Sequence, residues 1–218
     1  MSVARASVAG TAEGARFDDR RERGERAKRC FDLCAAIVLL VLVAPLLAAL
    51  AIAIKLQSPG PVLFRQTRLG RDGRPFEILK LRSMTVSESA GGTVQATRAD
   101  ARVTPIGRFM RRASLDELPQ LVNVIRGEMS LVGPRPHAVD HERHYEGLIA
   151  DYSLRRSVRP GVTGLAQVSG RRGATPRLSD MQARVEMDLW YVRNRSFALD
   201  LRILVLTVPK VLWDENAY

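Results

Sequence analysis

The feature that most constrains this chain of 218 residues is a run of twenty uncharged, apolar residues, 35–54. A helix of that length can cross the hydrocarbon layer of a bilayer. The run has no polar face, so it does not suit the core helix of a soluble protein. We therefore expect the rest of the chain to fold around a segment that belongs in a membrane.

Two details of this run bear on how it sits in the bilayer. Pro45 lies at its middle, where proline removes a helical hydrogen bond and clashes with the preceding turn. Lys28 and Arg29 precede the run and Lys55 follows it, so the positive-inside tendency places both ends on the cytoplasmic face. A re-entrant helix–break–helix at Pro45 satisfies both details. A tilted, proline-kinked transmembrane helix is the alternative, because membrane helices tolerate proline.

The chain on either side of this run divides into recognisable parts. Residues 1–16 are small and polar and lack the apolar region of a signal peptide, so we expect disorder there. Residues 17–57 are predicted as a surface helix leading into the membrane hairpin, and residues 58–218 as a cytoplasmic domain. Its last segment, 199–213, suits an interfacial amphipathic helix with a Trp213 anchor. Packing of that helix against the core is the alternative.

Short strands and helices are mixed within residues 58–218, which predicts an α-rich α/β fold in one compact domain. Segments 62–64 and 76–81 are typical of strands, joined by a turn at 70–73 into a small hairpin. Thr104 and Pro105 are typical of a helix N-cap and first turn, and predict a helix to about Arg112. Further predictions are a mobile loop over 85–103, helices over 138–156 and 179–195, and a glycine-rich loop over 160–170.

The positive net charge of the chain indicates which classes of partner it can bind. Lysine and arginine number 34 against 23 acids, a formal net charge of +11, and the excess is nearly all arginine. Nucleic acid, anionic lipid and phosphorylated small molecules all suit such a balance, and the planar guanidinium suits phosphate. Aromatic residues make up only 6% and are not interleaved with basic ones, so nucleic acid is not expected. Cys30 and Cys34 lie at the start of the apolar helix and are predicted to be reduced thiols.

Asp116 and Glu117 open the segment 114–136, which carries the candidate chemistry. Ser114 and Glu117 have the spacing of a capping box ahead of a short amphipathic helix, so both acids have a purely structural interpretation. The functional alternative is that Asp116 attacks phosphorus to form an acyl phosphate while Glu117 binds Mg²⁺. A helix N-terminus favours phosphate, and a divalent cation reduces the repulsion between two anions. Glu117 cannot easily close the box and bind the metal at once.

Several arginines lie beside loop signals, where they can reach a diphosphate, although each taken singly is also typical of a solvated surface: Arg111, Arg112, Arg135, Arg159, Arg171 and Arg172. Arg135 differs from the others because Pro134 and Pro136 restrict the backbone that presents its guanidinium. His137, His141 and His144 recur at helical spacing but lack the pattern of a zinc site, so zinc binding is not expected.

Ordered blocks over about residues 27–213 resemble the bacterial sugar transferase family, the monotopic phosphoglycosyl transferases. The blocks include Lys28-Arg29-x-Phe31-Asp32, Ser-Pro-Gly-Pro-Val at 58–62, Lys-Leu-Arg-Ser-Met at 80–84, Ser-Leu-Asp-Glu-Leu-Pro-Gln at 114–120, Met-Ser-Leu-Val-Gly-Pro-Arg-Pro at 129–136 and Arg-Pro-Gly-Val-Thr-Gly at 159–164. So many blocks in the same order make a chance match very improbable.

The resemblance implies a specific activity and location. Members transfer a sugar 1-phosphate from a UDP-sugar to a polyprenol phosphate, usually undecaprenyl phosphate, at the cytoplasmic face of the bacterial inner membrane. It implies that Asp116 is the nucleophile that carries the phosphosugar and that Glu117 helps to bind Mg²⁺. The family's re-entrant helix, broken at a Ser-Pro, falls on 35–54, where Ala44 replaces the serine and Pro45 must act alone.

The resemblance also implies a set of substrate-binding residues: Lys80, Arg82, Arg111, Arg135, Arg159, Arg171, Asp188 and Asp200. The chain is similar to the branch that initiates exopolysaccharide assembly with glucose or galactose, in a minimal catalytic form. Expected partners are a UDP-sugar, undecaprenyl phosphate and membrane lipids, with Mg²⁺ as cofactor. The sugar is not fixed by the sequence, nor is the oligomeric state, for which a homodimer stays open.

A different class of function competes with this one. A non-enzymatic membrane adaptor could bind anionic lipid through its arginines. Such an adaptor would release no UMP from a UDP-sugar, whereas the enzyme must.

Overall fold

The computed structural model describes residues 3–85, 100–173 and 175–213, without the side chains of residues 3–23 and 211–213. The helices are α1 (Val3–Gln57), α2 (Pro105–Arg112), α3 (Gln120–Arg126), α4 (Val139–Glu146), α5 (Leu165–Val168), α6 (Leu178–Asn194) and α7 (Phe197–Trp213). The strands are β1 (Leu63–Leu69), β2 (Pro75–Leu81), β3 (Ser130–Val132) and β4 (Gly161–Thr163). The described part is therefore a mostly helical α/β fold with small sheets, as predicted.

Some predictions fall outside the described residues. Most of the mobile loop expected over 85–103 lies in 86–99, and the anchor at Trp213 is a side chain that is not described. The disorder expected for residues 1–16 also concerns a range without described side chains, and it stays a prediction.

The predicted hairpin is confirmed. Strands β1 and β2 pair antiparallel from Leu63 opposite Leu81 to Leu69 opposite Pro75. Strand β1 is longer than the apolar segment 62–64 suggests, because its second half is polar and carries no hydrophobic signal. Pairing with β2 extends it. The helices predicted from Thr104 and over 179–195 correspond to α2 and α6, and Thr104 Oγ1 accepts from Gly107 N at 3.0 Å.

The glycine-rich segment 160–170 is more ordered than the predicted loop. Strand β4 pairs in parallel with β3, and α5 follows directly. A Cβ on Gly161 would overlap the backbone nitrogen of Gly133, so glycine permits this close approach. Gly161 N donates to Pro134 O at 2.9 Å, which ties the start of β4 to the loop that carries Arg135.

The helix predicted over 138–156 is also different. Helix α4 ends at Glu146, and a 3-10 turn over Tyr152–Ser157 follows after a short connection. Asp151 has a positive φ of 58°, which a continuous right-handed helix does not permit. The break turns Arg155 into the interior, where it is 3% exposed.

The apolar run forms one helix, α1, with Pro45 inside it rather than between two separate helices. Its part Gly24–Gln57 has a mean hydropathy of 3.1 over its most apolar stretch, and only 11% of that stretch is buried. A core helix of a soluble protein would be mostly buried. The helix is therefore long and apolar enough to cross a membrane, and it displays most of its apolar surface.

Residues on both sides of the apolar run 35–54 nevertheless contact the same globular body. Before the run, Arg29 donates to Val124 O at 2.6 Å and to Ile125 O at 2.9 Å. Beyond the C-terminal end, Arg82 donates to Ser58 O at 2.7 Å and to Pro59 O at 2.6 Å. The end of the helix also packs in a buried cluster with β2 and α2, formed by Leu50, Ile54, Leu81 and Met110.

Helix α7 has two faces. Ile203 is fully buried in the main core, while Val205 is 70% exposed. The other large apolar residues on its exposed surface are Phe197, Leu201, Leu206 and Val208. Packing against the core thus occupies one face of α7 and leaves a second apolar face uncovered.

Candidate active site

The chain around the two acids folds differently from the predicted capped helix. Ser114 adopts a left-handed conformation with φ 55°, a 3-10 turn spans Leu115–Glu117, and α3 begins at Gln120. The capping box is therefore wrong: Ser114 makes no cap, and its Oγ accepts from Arg172 instead. Because Pro119 immediately precedes α3, the acids lie in a tight turn ahead of the helix.

Glu117 is held by two cations from distant parts of the chain. Lys80 Nζ, on β2, donates to its Oε1 at 2.8 Å. Arg135 Nη1 donates to Oε2 at 3.0 Å, and Arg135 Nη2 also contacts Oε1. Burial raises the pKa of Glu117, but Arg135 and Lys80 outweigh it and hold the pKa well below the usual range. Glu117 is therefore ionised and fixed.

Asp116 has the opposite surroundings. It is 8% exposed, and its carboxylate makes no hydrogen bond or ion pair with another described residue. Burial raises the pKa of Asp116, as does the charge of Glu117, while Lys80, Arg111 and Arg135 oppose the rise. Within the described part of the chain, no group occupies the lone pairs of this buried carboxylate, which is the state that a nucleophile requires.

A further cation, Arg68, lies close enough to interact electrostatically with Arg135 and Glu117. It is largely buried on β1, and Arg68 pairs in an isolated bridge with Ala138. Burial lowers the pKa of Arg68 to about 10, and repulsion from Arg135 adds to this, while Glu117 opposes it. The region around Glu117 therefore carries an excess of positive charge, which suits a diphosphate.

The predicted substrate-binding residues separate into two groups. The structure brings Lys80 and Arg135 onto Glu117, and it places Arg111 near Asp116. Arg82, Arg159, Arg171, Asp188 and Asp200 make no hydrogen bond or ion pair to the two acids within the described part of the chain.

Most members of the second group have structural contacts. Arg82 is buried and holds the chain after α1 through the carbonyls of Ser58 and Pro59. Arg159 donates to Gly127 O at 3.0 Å and lines a separate cleft with Lys28 and Arg29. Asp200 accepts from Tyr191 Oη at 2.6 Å and pairs with Lys28 at 2.7 Å. Arg171 is exposed.

Two arginines near the site, Arg172 and Arg155, make contacts that the sequence does not predict. Arg172, rather than the exposed Arg171, contacts the turn that holds the acids, through Ser114. Arg155 donates to the backbone carbonyl of Arg135 at 2.7 Å and to Asp188 at 2.8 Å. Arg172 belongs to the loop arginines that the sequence singles out, but nothing local marks Arg155, whose partners lie 20 and 33 residues away.

The three histidines do not share one site. His137 is buried with its Nδ1 2.6 Å from Tyr152 Oη, and burial together with Arg155 holds the pKa of His137 well below its usual range. His141 and His144 each stack edge-on against Tyr145. The imidazole of His137 is therefore neutral and belongs to the interior.

The donor set for a divalent cation is the acid pair itself. No group of three or more His, Cys, Asp or Glu side chains suited to a metal occurs among the described residues. Mg²⁺ is commonly held by one or two carboxylates together with substrate phosphates, so such a pair is sufficient. Glu117 Oε1 accepts from two cations, whereas Oε2 accepts one hydrogen bond and keeps a lone pair. Glu117, the predicted metal ligand, therefore keeps an oxygen that suits the ion.

Comparisons with known proteins show which proteins this chain is similar to. The sequence model of the family described as "Bacterial sugar transferase" matches residues 23–214. The chain is 51% identical over 191 residues to a UDP-glucose:undecaprenyl-phosphate glucose-1-phosphate transferase of Klebsiella pneumoniae, covering 88% of this chain and 41% of that protein. It is 53% identical to a protein of the same name from Caulobacter vibrioides, covering 88% and 72%. It is 45% identical to the exopolysaccharide production protein PSS of Rhizobium leguminosarum, covering 85% and 94%. The chain thus spans about two fifths of the Klebsiella relative and nearly all of the Rhizobium one.

Proposed function

The chain belongs to the bacterial sugar transferase family, and from that premise we propose that it transfers a hexose 1-phosphate from a UDP-sugar to undecaprenyl phosphate, initiating exopolysaccharide synthesis. Glucose is the proposed hexose, because relatives at 51% and 53% identity carry UDP-glucose in their names. The products are undecaprenyl diphosphate hexose and UMP.

The observation that carries the proposal is the asymmetry of the acid pair. Glu117 is paired with Lys80 and Arg135, whereas the neighbouring Asp116 carboxylate has no hydrogen-bond or ion-pair partner among the described residues. An enzyme that needs one acid as a nucleophile and the other to organise charge requires this difference. An adaptor that only binds lipid has no use for a buried, unpaired carboxylate, which is costly to maintain.

We propose a two-step covalent route. An Asp116 oxygen attacks the phosphorus that bears the sugar, the bond from that phosphorus to the bridging oxygen breaks, and UMP leaves with that oxygen. An oxygen of undecaprenyl phosphate then attacks the same phosphorus, and the bond to Asp116 breaks. The carboxylate is regenerated, and two phosphorus–oxygen bonds have formed and two have broken.

The cations support this route by lowering the repulsion between anions. Lys80, Arg111 and Arg135 surround two carboxylates, so the site keeps a positive excess for the diphosphate. Mg²⁺, held by Glu117 Oε2 and Asp116 with the substrate phosphates, would add further charge neutralisation when bound. Arg135 keeps Glu117 ionised in either case, since it holds the pKa of that carboxyl low.

Contacts on the two sides of the apolar run support a re-entrant position of the helix at the cytoplasmic face of the inner membrane. A straight crossing would separate the ends of the apolar run by about 30 Å, on opposite sides of the bilayer. Here residues before the run and residues after it contact one globular body. A helix that bends at Pro45 and returns to the same face accounts for these contacts.

Release of UMP tests the proposal. Purified protein in bilayer nanodiscs is supplied with undecaprenyl phosphate, Mg²⁺ and one of several UDP-sugars, and UMP is measured together with the lipid product. We expect turnover with UDP-glucose and dependence on both substrates. Absence of UMP with every UDP-sugar, while the protein stays folded and membrane-bound, would favour the adaptor.

A further inference from the structure

The loop that presents Arg135 has few means of holding itself in place. Proline has no backbone N–H, so among Pro134, Arg135 and Pro136 only Arg135 can donate a main-chain hydrogen bond. The loop must therefore be fixed through its carbonyl oxygens, by donors from elsewhere in the chain. Gly161 N donates to Pro134 O at 2.9 Å, and Arg155 Nη2 donates to Arg135 O at 2.7 Å.

Arg155 is itself held on its other sides. Its Nε donates to Asp188 Oδ2 at 2.8 Å, and its guanidinium lies over the ring of Tyr152 at 5.0 Å. Nη1 lies 3.2 Å from His137 Nδ1 and 3.5 Å from Glu142 Oε1. Because the guanidinium is planar and rigid, fixing Nε and Nη1 leaves one direction for Nη2, toward Arg135 O.

Because the Arg155 guanidinium is buried, its position depends on the ion pair with Asp188. Arg155 is 3% exposed and Asp188 is 2% exposed, so neither charge is solvated by water. A buried guanidinium needs a charged partner, and Asp188 meets it directly from α6. His137 offers no competing charge, since Arg155 can only donate and Nδ1 must therefore accept, which leaves the ring neutral.

We propose that Arg155 and Asp188 form a positioning pair that fixes the Pro134–Arg135–Pro136 loop and thereby aims the Arg135 guanidinium at Glu117. The chain of contacts runs from α6 through Asp188 and Arg155 to the Arg135 carbonyl, and from the Arg135 side chain to Glu117. Asp188 then acts at a distance from the acids, in place of the substrate contact that the resemblance implies. The activity test of this inference rests on the proposed function, whereas its structural test does not.

A double-mutant cycle tests whether the pair acts through Arg135. The Arg155→Lys variant keeps the positive charge but loses the planar guanidinium that donates to Asp188 and to Arg135 O. We expect it to lower kcat/KM about tenfold in the otherwise unchanged enzyme and less than about twofold in an Arg135→Ala background. Arg156→Lys is the matched control, since Arg156 contacts Glu142 and Glu146 but not the loop, and it should stay within about twofold. Equal losses in both backgrounds would mean that Arg155 only supports the fold, and would overturn the proposal.

Hydrogen–deuterium exchange provides a second test of the positioning role, which does not depend on enzymatic activity. Peptides covering residues 129–141 should exchange faster in Arg155→Lys and Asp188→Asn than in Arg156→Lys, while peptides covering 63–81 should be unchanged in all three. Unchanged exchange at the loop, or faster exchange everywhere, would refute the positioning role. If the unmodified enzyme turns over no UDP-sugar, the proposed function fails, and the exchange experiment still decides this inference.

Discussion

Two adjacent acids, Asp116 and Glu117, have acquired opposite properties from their surroundings. Both are largely buried, so desolvation disfavours the charged form of each. Lys80 and Arg135 bind Glu117 directly and overcome this effect, but they reach Asp116 only through space. The pKa of Glu117 is therefore held down while the pKa of Asp116 is raised. One carboxylate is paired with cations, and the other has no hydrogen-bond or ion-pair partner among the described residues.

Replacement of Asp116 tests its proposed role most directly. Asp116→Asn keeps the shape of the side chain but cannot form the covalent phosphosugar, so we expect kcat to fall by roughly 10⁴-fold, as when a catalytic group is removed from other enzymes. Incubation with radiolabelled UDP-glucose without lipid acceptor should label the unmodified protein and not the variant. The matched control is Glu186→Gln, an exposed acid on α6 that should keep full activity. Normal turnover in the Asp116→Asn variant would disprove the covalent route.

The raised pKa of Asp116 predicts an acid limit to activity. The attacking form is the carboxylate, so kcat should fall as pH drops through a pKa above about 4, the ordinary value for aspartate. Lys80 lowers the pKa of Asp116, so Lys80→Gln should move this limit to higher pH. Profiles of kcat against pH for the two proteins make the comparison. Arg65→Gln removes an exposed cation from the same hairpin and should leave the limit in place. If the acid limit of kcat in Lys80→Gln were unchanged or shifted to lower pH, this account would be contradicted.

At the scale of the element, α1 combines a long apolar stretch with contacts to the globular body on both sides of it. Before the stretch, Arg29 donates to backbone carbonyls near the end of α3. Apolar packing of Leu50 and Ile54 against β2 and α2 holds its C-terminal end. The middle of the helix displays large apolar side chains, among them Val41 and Leu42. Such a helix is expected to enter the bilayer only with its middle.

Labelling of single cysteines on the two flanks of the apolar run tests this topology. In a background with Cys30→Ala and Cys34→Ala, we expect Ala27→Cys and Leu56→Cys to react with an impermeant maleimide from the cytoplasmic side only. Both positions are exposed, Leu56 at 84%, so burial does not limit the reaction. Spheroplasts and inverted vesicles give the two sides. Labelling of the two cysteines from opposite sides would instead indicate a kinked helix that crosses the membrane.

At the scale of the whole molecule, the apolar surface of α1 is accompanied by the exposed face of α7. That face carries Phe197, Leu201, Val205 and Val208 on a helix whose other side is anchored in the core by Ile203. An amphipathic helix with an uncovered apolar face suits the level of the lipid headgroups. The net charge of +11 also favours the anionic cytoplasmic leaflet. We therefore expect α7 to lie in the interface while the acid pair faces the cytoplasm.

Spin labels report this depth directly. In the same cysteine-free background, a nitroxide at Val205→Cys in nanodiscs should be more accessible to oxygen than to a water-soluble nickel complex, because oxygen concentrates in lipid. A nitroxide at Glu186→Cys, exposed on α6, should show the reverse order. Greater nickel accessibility at position 205 would place α7 in water and refute an interfacial role for that face.

Local patterns determined much of this protein. The twenty apolar residues of 35–54 predict a helix suited to a membrane, and the structure shows a long apolar helix there with most of its apolar surface uncovered. Thr104 and Pro105 begin α2 because capping and first-turn geometry are local, and the β1–β2 hairpin follows from its turn and its apolar strand β2. The acid pair and the Pro-Arg-Pro loop were also recognisable, because the order of the motifs along the chain carries the family resemblance.

Only the tertiary structure decided what these groups contact. Ser114 and Glu117 have the spacing of a capping box, yet Arg172, Lys80 and Arg135 occupy their side chains and the box does not form. Nothing local marks Arg155, and the resemblance implies a substrate contact for Asp188, yet the two residues meet across 33 residues in the interior. The physical reason is the range of the forces: helix caps and turns depend on neighbours within a few residues, whereas the strength of an ion pair depends on burial, which the whole fold creates. The sequence thus determined which groups are available, and the packing of distant segments decided that Lys80 and Arg135 pair with Glu117 and, within the described part of the chain, not with Asp116.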